Sequence, residues 1–142
     1  MKSEFSLSVQ YASMEEGIPQ RQKFRRWVSA SLEGPAQITI RIVDLEEGQH
    51  LNREFRGKDY ATNVLTFVYE KGSGDIVICA PVIRREALEQ KKSIESHYAH
   101  MTVHGILHLQ GYDHESEMDA AIMEPKEQAI MARLGYPDPY GV

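Results

Sequence analysis

One short segment, HGILHLQGYDH at residues 104–114, constrains the fold of this chain more than any other. His104 and His108 are four residues apart, so on a helix their side chains lie on one face, one turn apart. Gly111 is suited to end that helix, because glycine adopts a left-handed conformation without steric cost. The chain can then turn back and bring His114 to the same point. The segment therefore predicts a helix whose histidine pair converges with a third histidine from the following loop.

Three imidazoles that meet at one point, with a fourth position left open, are the ligand set of a catalytic zinc ion. Unrelated core or surface histidines are the alternative, but three of the chain's six histidines fall in this one window. Imidazole also suits nickel, copper and iron, so the ligand type alone does not select the metal. The sequence predicts one metal ion per chain, bound by His104, His108 and His114, with zinc (Zn2+) as the expected ion.

The remaining histidines are less well placed for this site. His100 and His108 are eight residues apart, and at about 1.5 Å per helical residue their backbones are separated by roughly 12 Å. A single ion with ligands about 2 Å away cannot easily take both. We therefore expect His97 and His100 to be surface residues or to support the ligands from behind, and we expect His50 to be exposed.

The spacing HxxxHxxGxxH also matches the zinc-binding frame of the metzincin proteases, with one catalytic group missing. Those enzymes carry a glutamate directly after the first histidine as their general base, and this chain has Gly105 at that position. The missing base argues against proteolysis. A glycine inside a helix costs about 1 kcal/mol relative to alanine. Gly105 therefore indicates the close approach of either another element or a substrate.

The composition is that of a single folded domain. Of the 142 residues, 42% are hydrophobic and 26% are charged, which is enough to bury a core. The single cysteine, Cys79, excludes an internal disulfide and sits in an apolar run, where we expect a buried thiol. No stretch has the apolar length of a signal peptide or a membrane span. These features predict one domain over residues 1–142 and a cytoplasmic location.

Hydrophobic periodicity predicts four strands and five helices. The expected strands cover residues 5–11, 38–43, 64–69 and 74–79. The expected helices cover about residues 19–32, 45–56, 81–90, 95–110 and 116–134. The short link between the third and fourth strands favours an antiparallel pair. We therefore predict an α+β fold with one mixed, mainly antiparallel sheet of about four strands packed with about five helices.

The second predicted helix leads into an irregular segment. Asp44 and Glu47 have the spacing of a capping box at the start of this helix. Leu51 and Phe55 are expected to face the core. Residues 56–63 have no hydrophobic period and are predicted to form a loop.

Two separated motifs resemble the YbeY family of bacterial endoribonucleases. HGILHLQGYDH is similar to that family's signature HGxLHLxGYDH. LNREFRGKDYATNVLTF, at residues 51–67, is similar to its segment with an arginine–glycine–lysine–aspartate loop ahead of a strand. GDIVIC and MEPKEQAIMARLGYPDPY resemble its next strand and its C-terminal helix and tail, so the likeness covers about three quarters of the chain. The family pattern commonly reads TDVLSFP after the loop, whereas this chain has TNVLTFV, and Asn63 cannot act there as a carboxylate.

The resemblance implies a metal-dependent endonuclease that cuts single-stranded RNA. It further implies roles in 16S rRNA 3′-end maturation and ribosome quality control, with the small ribosomal subunit and its associated proteins as partners. The family's metal ligands correspond to His104, His108 and His114, and its important loop arginine corresponds to Arg56. A three-histidine zinc site would lower the pKa of bound water to about 7. The sequence does not indicate an oligomeric state.

Arg56 and His114 are the residues that we expect to act in catalysis. A guanidinium binds phosphate in a bidentate manner and offsets the charge that develops during phosphodiester cleavage. Pairing of Arg56 with Asp59 or Glu54 is the alternative. No single general base stands out: the acids on either side of His114 are candidates, and an RNA 2′-hydroxyl is an alternative nucleophile to water.

Two other functions remain open at the level of sequence. One is a zinc hydrolase with another substrate, such as a peptide or a small amide. The other is a ribosome assembly factor with a structural zinc, which would normally have four protein ligands. The net charge of −5 argues against a generic nucleic-acid coat, although the cations cluster and leave room for a locally basic face.

Overall fold

A four-stranded sheet with helices on both faces forms the framework of the computed structural model, which describes residues 4–113 and 115–141. The strands are β1 (Phe5–Ala12), β2 (Ala36–Val43), β3 (Val64–Glu70) and β4 (Ser73–Cys79). The helices are α1 (Arg21–Ser31), α2 (Leu45–Arg56), α3 (Ala80–Glu89), α4 (Ile94–Leu109) and α5 (Glu117–Leu134). The predicted α+β class is confirmed, as are the four strands and five helices.

The strand order is β1-β2-β4-β3, with β1, β2 and β4 parallel and β3 antiparallel to β4. The mixed sheet and the antiparallel pairing of β3 with β4 are confirmed. The expectation of a mainly antiparallel sheet is wrong, because α1 connects β1 to β2 and a strand that returns through a helix comes back parallel. Within the described residues, β3 is an edge strand of the sheet, with only β4 paired to it.

Alternation along β4 divides the core into two clusters. Ile76 and Ile78 point to the larger cluster, which packs the sheet against α1, α4 and α5. Val77 and Cys79 point to the opposite face, where Leu51 of α2 packs on a smaller cluster. The predicted burial of the thiol is confirmed, because Cys79 is only 2% exposed. The sheet is therefore covered on both faces, with α2 and α4 on opposite sides.

Helix α4 carries the histidine pair and is buried on almost every side. Ser93 caps its start by accepting a hydrogen bond from the backbone N–H of Ser96. At Gly105, a Cβ would lie 3.0 Å from Ile76 Cδ1, so the glycine permits close packing of α4 on the sheet. Gly111 has φ +101° just beyond the helix, as predicted for a left-handed stop. No helix in the described segments is long and apolar enough to cross a membrane.

The start of α2 differs from its prediction. Asp44 occupies the N-cap position, but its side chain makes no capping hydrogen bond. Its carboxylate instead accepts a hydrogen bond from the Ser13 hydroxyl. Glu47 forms a bidentate pair with Arg41 at 2.6 and 2.9 Å. The expected capping box is therefore wrong, because both carboxylates are engaged by other side chains.

The end of α2 differs as well. Arg56, where the predicted helix and the predicted loop overlap, is the last helical residue, and Gly57 follows it with φ +69°. Phe55 was expected to face the core, yet it is 65% exposed. Its ring contacts Phe67 of the edge strand β3, because the last turn of α2 lies beside that edge.

Candidate functional site

His104 and His108 face each other on successive turns of α4. Their Nε2 atoms are 3.1 Å apart, and the two rings meet edge to face. Two imidazole lone pairs at this separation repel each other unless a proton or a cation lies beside them. Two nitrogens bound at about 2.0–2.1 Å to a tetrahedral zinc ion would be about 3.3 Å apart. The observed spacing therefore fits two ligands of one ion.

Behind the pair, the fully buried carboxylate of Glu127 on α5 accepts hydrogen bonds from three side chains. Its Oε2 is 3.2 Å from His104 Nδ1, and its Oε1 is 2.5 Å from His100 Nε2 and 2.9 Å from the Tyr140 hydroxyl. An ionised carboxylate only accepts, so each imidazole must carry a proton on the nitrogen that faces it. Glu127 thereby directs the Nε2 lone pair of His104 toward His108.

The charge state of this network follows from its contacts. Burial alone would raise the pKa of Glu127, but hydrogen bonds from His100 and His104 outweigh burial and lower it to about 2. Burial lowers the pKa of His100, although its bond to Glu127 acts in the opposite direction. Burial and the Glu127 charge both raise the pKa of Tyr140. The network is therefore centred on an ionised carboxylate that accepts from all three donors.

The histidine pair opens onto a cleft of about 770 Å³ along the edge strand β3. Helix α4 contributes His104 and His108, the end of α2 contributes Phe55 and Arg56, and residues 62–69 line the cleft between them. This volume lies within the range of about 300–1,000 Å³ that is typical of small-ligand sites. The structure thus brings the predicted phosphate-binding arginine into the same cleft as two of the predicted metal ligands.

Arg56 is available to bind an anion. Its side chain is exposed and makes no ion pair with any residue between 4 and 113 or between 115 and 141. Arg53, rather than Arg56, pairs with Asp59, at 3.5 Å. The alternative in which Arg56 is neutralised by Asp59 or Glu54 is therefore not observed.

His114, the predicted third metal ligand and a predicted catalytic residue, lies outside the described residues. Both of its sequence neighbours, Asp113 and Glu115, line the cleft. Among the described residues, no group of three or more His, Cys, Asp and Glu side chains could hold a metal ion. The three-histidine metal site therefore stays a prediction, because its third ligand lies outside the described residues.

The other histidines have different environments. His50 is exposed, as predicted. The expectation of surface positions for His97 and His100 is wrong, because both are buried and each is hydrogen-bonded to a glutamate. His100 instead supports the pair from behind through Glu127, which is the second possibility that the sequence offered. His97 belongs to a separate network with Glu86, 2.8 Å away.

Sequence reasoning missed Glu127 and Tyr140. A signal for Glu127 was present, because this acidic residue interrupts an apolar stripe of α5 at helical spacing. The other members of that stripe are buried: Met123, Ile130, Met131 and Leu134. A charged residue at a core position is rarely buried without partners. No comparable signal marked Tyr140, which reaches Glu127 from the C-terminal tail.

Asn63 has a structural role at the cleft. Its Nδ2 donates to Glu86 Oε1 at 3.0 Å, and its Oδ1 accepts from the backbone N–H of Val64 at 2.7 Å. Burial would raise the pKa of Glu86, but hydrogen bonds from His97 and Asn63 lower it below its usual value. The asparagine thus connects the start of β3 to a partly buried carboxylate on α3.

We expect Asn63→Asp to destabilise the fold at pH 7 by about 1–3 kcal/mol, because it removes a donor and places two carboxylates together. In wild type, ionised Glu86 stabilises the fold fully at any pH above the usual pKa of a glutamate. This stabilisation is lost as the pH falls through the lowered pKa of Glu86 in the folded state. The variant's deficit should shrink below about pH 4, where the carboxylates become protonated. Urea unfolding between pH 3 and pH 8 measures both effects.

The double variant Asn63→Asp, Glu86→Gln is the matched control, because it exchanges the amide and the carboxylate. It should recover most of the stability that Asn63→Asp loses at pH 7. A single variant as stable as wild type at pH 7 would contradict the role of the Asn63–Glu86 contact.

A site of this kind suits hydrolysis of an anionic substrate. The imidazole pair can hold an electrophilic metal ion, and a guanidinium in the same cleft can bind the substrate's charge. Together with the α+β sheet, these features describe a small hydrolase with one cleft along a sheet edge.

Comparison with known proteins identifies the family. Residues 8–135 match the family model described as Endoribonuclease YbeY, and the chain belongs to this family. The Endoribonuclease YbeY of Nitrosomonas eutropha is 60% identical over 137 residues, which cover 94% of this chain and 97% of that protein. The same-named protein of Nitrosomonas europaea is 58% identical, with 98% of this chain and 87% of that protein covered. The family's name describes endonucleolytic cleavage of RNA, and the resemblance seen in the motifs is confirmed.

A solved structure agrees with the fold. The solution structure of TM1509 from Thermotoga maritima superposes with a TM-score of 0.57 at 25% sequence identity. The match covers 94% of this chain and 99% of that chain, so the two folds correspond over nearly their full lengths.

Proposed function

We propose that this chain is a metal-dependent endoribonuclease that cuts single-stranded RNA. Its proposed process is 16S rRNA 3′-end maturation with ribosome quality control, in the cytoplasm and in contact with the small ribosomal subunit. The observation that carries the proposal is that one cleft contains both the facing His104–His108 pair and Arg56, which pairs with no described acidic residue. Membership of the endoribonuclease family supports RNA as the substrate.

We further propose zinc, bound by His104, His108 and His114, as the ion of this site. When bound, the ion would supply Lewis acidity at the scissile phosphate and acidify water nearby. The fit rests on the 3.1 Å separation of the two Nε2 atoms and on the carboxylate of Glu127, which keeps a proton on His104 Nδ1. A carboxylate that accepts from the far nitrogen of an imidazole is the usual support for a metal ligand.

The other cleft residues have roles that follow from their chemistry. Arg56 binds a phosphate oxygen pair and offsets the negative charge that grows during cleavage. The attacking hydroxyl must lose a proton, and Asp113 and Glu115 are the acids that line the cleft. Separate Asp113→Asn and Glu115→Gln variants show which one accepts the proton, since only that substitution should lower the cleavage rate, by about 10²-fold or more, while metal content stays that of wild type.

The direct test is cleavage of a labelled single-stranded RNA that spans the 3′ end of 16S rRNA. The protein should cut this strand, leave the same sequence intact in a duplex, and lose activity when a chelator removes its metal. The ends of the products distinguish the nucleophile, because a 2′-hydroxyl leaves a 2′,3′-cyclic phosphate and water does not. Cleavage of casein with intact RNA would instead support a peptide hydrolase.

We expect Arg56→Ala to lower the rate of RNA cleavage by about 10²-fold, because it removes charge stabilisation from the transition state. Metal content should remain that of wild type, since all three proposed metal ligands are histidines and are retained. Arg53→Ala is the matched control: Arg53 lies on the same helix, is exposed, and does not line the cleft. Equal cleavage rates for the two variants would remove Arg56 from the catalytic site. Metal analysis and initial rates measure both effects.

A further inference from the structure

Phe55 is an exposed aromatic residue in the cleft that contains the histidine pair. A single exposed apolar side chain on a protein surface needs no explanation. This ring, however, is 65% exposed and lines the same cleft as the histidine pair. It also precedes Arg56 directly in sequence. The apolar pattern of α2 would place Phe55 in the core, and the fold instead presents it to the cleft.

The ring is held in place by a second aromatic side chain. Phe67 of β3 packs against Phe55 with ring centroids 5.1 Å apart and planes at 76°. Phe67 is partly buried and packs on the smaller core cluster, so its position is fixed by the sheet. An aromatic side chain fixed before binding loses little conformational entropy when a ligand contacts it. The pair is therefore a preformed aromatic surface.

The arginine that lines the same cleft, Arg56, defines the chemistry of the ligand. Arg56 is exposed and makes no ion pair with a described residue. Carboxylates of Asp113 and Glu115 also line the cleft, and they would repel a polyanion, whereas Arg56 would attract it. An exposed aromatic ring in one cleft with an arginine that no described residue neutralises suits a ligand that alternates flat rings with phosphates. Single-stranded nucleic acid has this chemistry.

We infer that Phe55 is a stacking platform for one base of the RNA strand, while Arg56 binds a neighbouring phosphate. This inference rests on the proposed function and adds a base-binding position to it. Stacking on an aromatic ring tolerates any base, because every base has a π face. Phe55 thus contributes affinity for the strand without reading its sequence.

The test uses the full chain and a single-stranded RNA oligonucleotide. Phe55→Leu keeps an apolar contact with Phe67 but has no π face, and it should bind this RNA about 5- to 100-fold more weakly. It should retain its metal and its kcat at saturating RNA, so that the defect is in KM. Phe55→Tyr and Phe55→Trp should bind within a few-fold of wild type. The indole of Phe55→Trp should also lose fluorescence on mixing with RNA in a stopped-flow instrument, since Trp27 is fully buried.

An abasic scan identifies the stacked base. In a set of oligonucleotides that each lack one base, one position should weaken binding by wild type and leave binding by Phe55→Leu unchanged. Equal RNA affinity for Phe55→Leu and wild type, or failure of the Tyr and Trp variants to bind like wild type, overturns the inference. The first of these results would remove Phe55 from the RNA-binding surface. Absence of RNA binding and cleavage by wild type would instead overturn the proposed function itself.

Discussion

His104→Ala is expected to lower RNA cleavage by about 10³-fold or more and to reduce bound zinc well below one ion per chain. The substitution removes one of the two Nε2 atoms that face each other at 3.1 Å. It also removes the donor to Glu127 Oε2, so the effect reaches the carboxylate behind the site. Metal analysis of the purified protein and single-turnover cleavage of the 16S-derived strand measure the two losses together.

Two controls separate this loss from unfolding. His50→Ala removes an exposed imidazole from α2 and should leave metal content and cleavage unchanged. The circular dichroism spectrum of His104→Ala should remain that of wild type, because the ring lies at the cleft and α4 keeps its packing on the sheet. A folded His104→Ala protein with normal zinc and normal cleavage would remove this histidine from the site.

Local pattern was sufficient to predict most of the secondary structure. The spans of the strands and helices follow from period, caps and stop residues, which act over a few neighbours. The direction of β1 relative to β2 required one further step, because a helix between two adjacent strands makes them parallel. The prediction of a mainly antiparallel sheet gave too much weight to the short link between β3 and β4.

The histidine pair was predictable because helical spacing alone places His104 beside His108. The hydrogen-bond network behind the pair could not be predicted in this way, since Glu127 and Tyr140 reach the site from α5 and the C-terminal tail. Their hydrogen bonds join residues that are 13 to 27 positions apart. Sequence spacing carries no distance information over such separations. A buried charge in the apolar stripe of α5 was the one local indication that a partner was needed.

For Phe55, the local pattern gave a prediction that the structure contradicts. The apolar spacing of α2 is a correct guide to Leu51, which packs on the smaller core cluster. One turn later the helix has reached the sheet edge, and the same pattern presents Phe55 to the cleft. Departures from local rules are expected at functional sites. This departure is the one from which we infer a base-stacking position.

Glu127→Gln is expected to weaken zinc binding by about 10- to 100-fold, because the support for His104 is lost. The wild-type carboxylate accepts from three donors, which fixes the proton of His104 on Nδ1. A glutamine amide has only one acceptor oxygen, and its NH2 group would face one of those donors. Competition with a chelator measures zinc affinity, and 15N-resolved NMR of the metal-free protein shows which ring nitrogen carries the proton.

The NMR measurement distinguishes positioning from a general loss of structure. In wild type the His104 proton should be on Nδ1, and in Glu127→Gln it should be shared between the two ring nitrogens. Glu117→Gln, at an exposed position of the same helix, should change neither the proton position nor the zinc affinity. Tyr140→Phe removes one of the three donors to Glu127 but leaves the bond to His104, so its effect on zinc affinity should be the smaller. If Glu127→Gln binds zinc like wild type with the proton still on Nδ1, the lone pair of His104 is oriented by the packing of α4 alone.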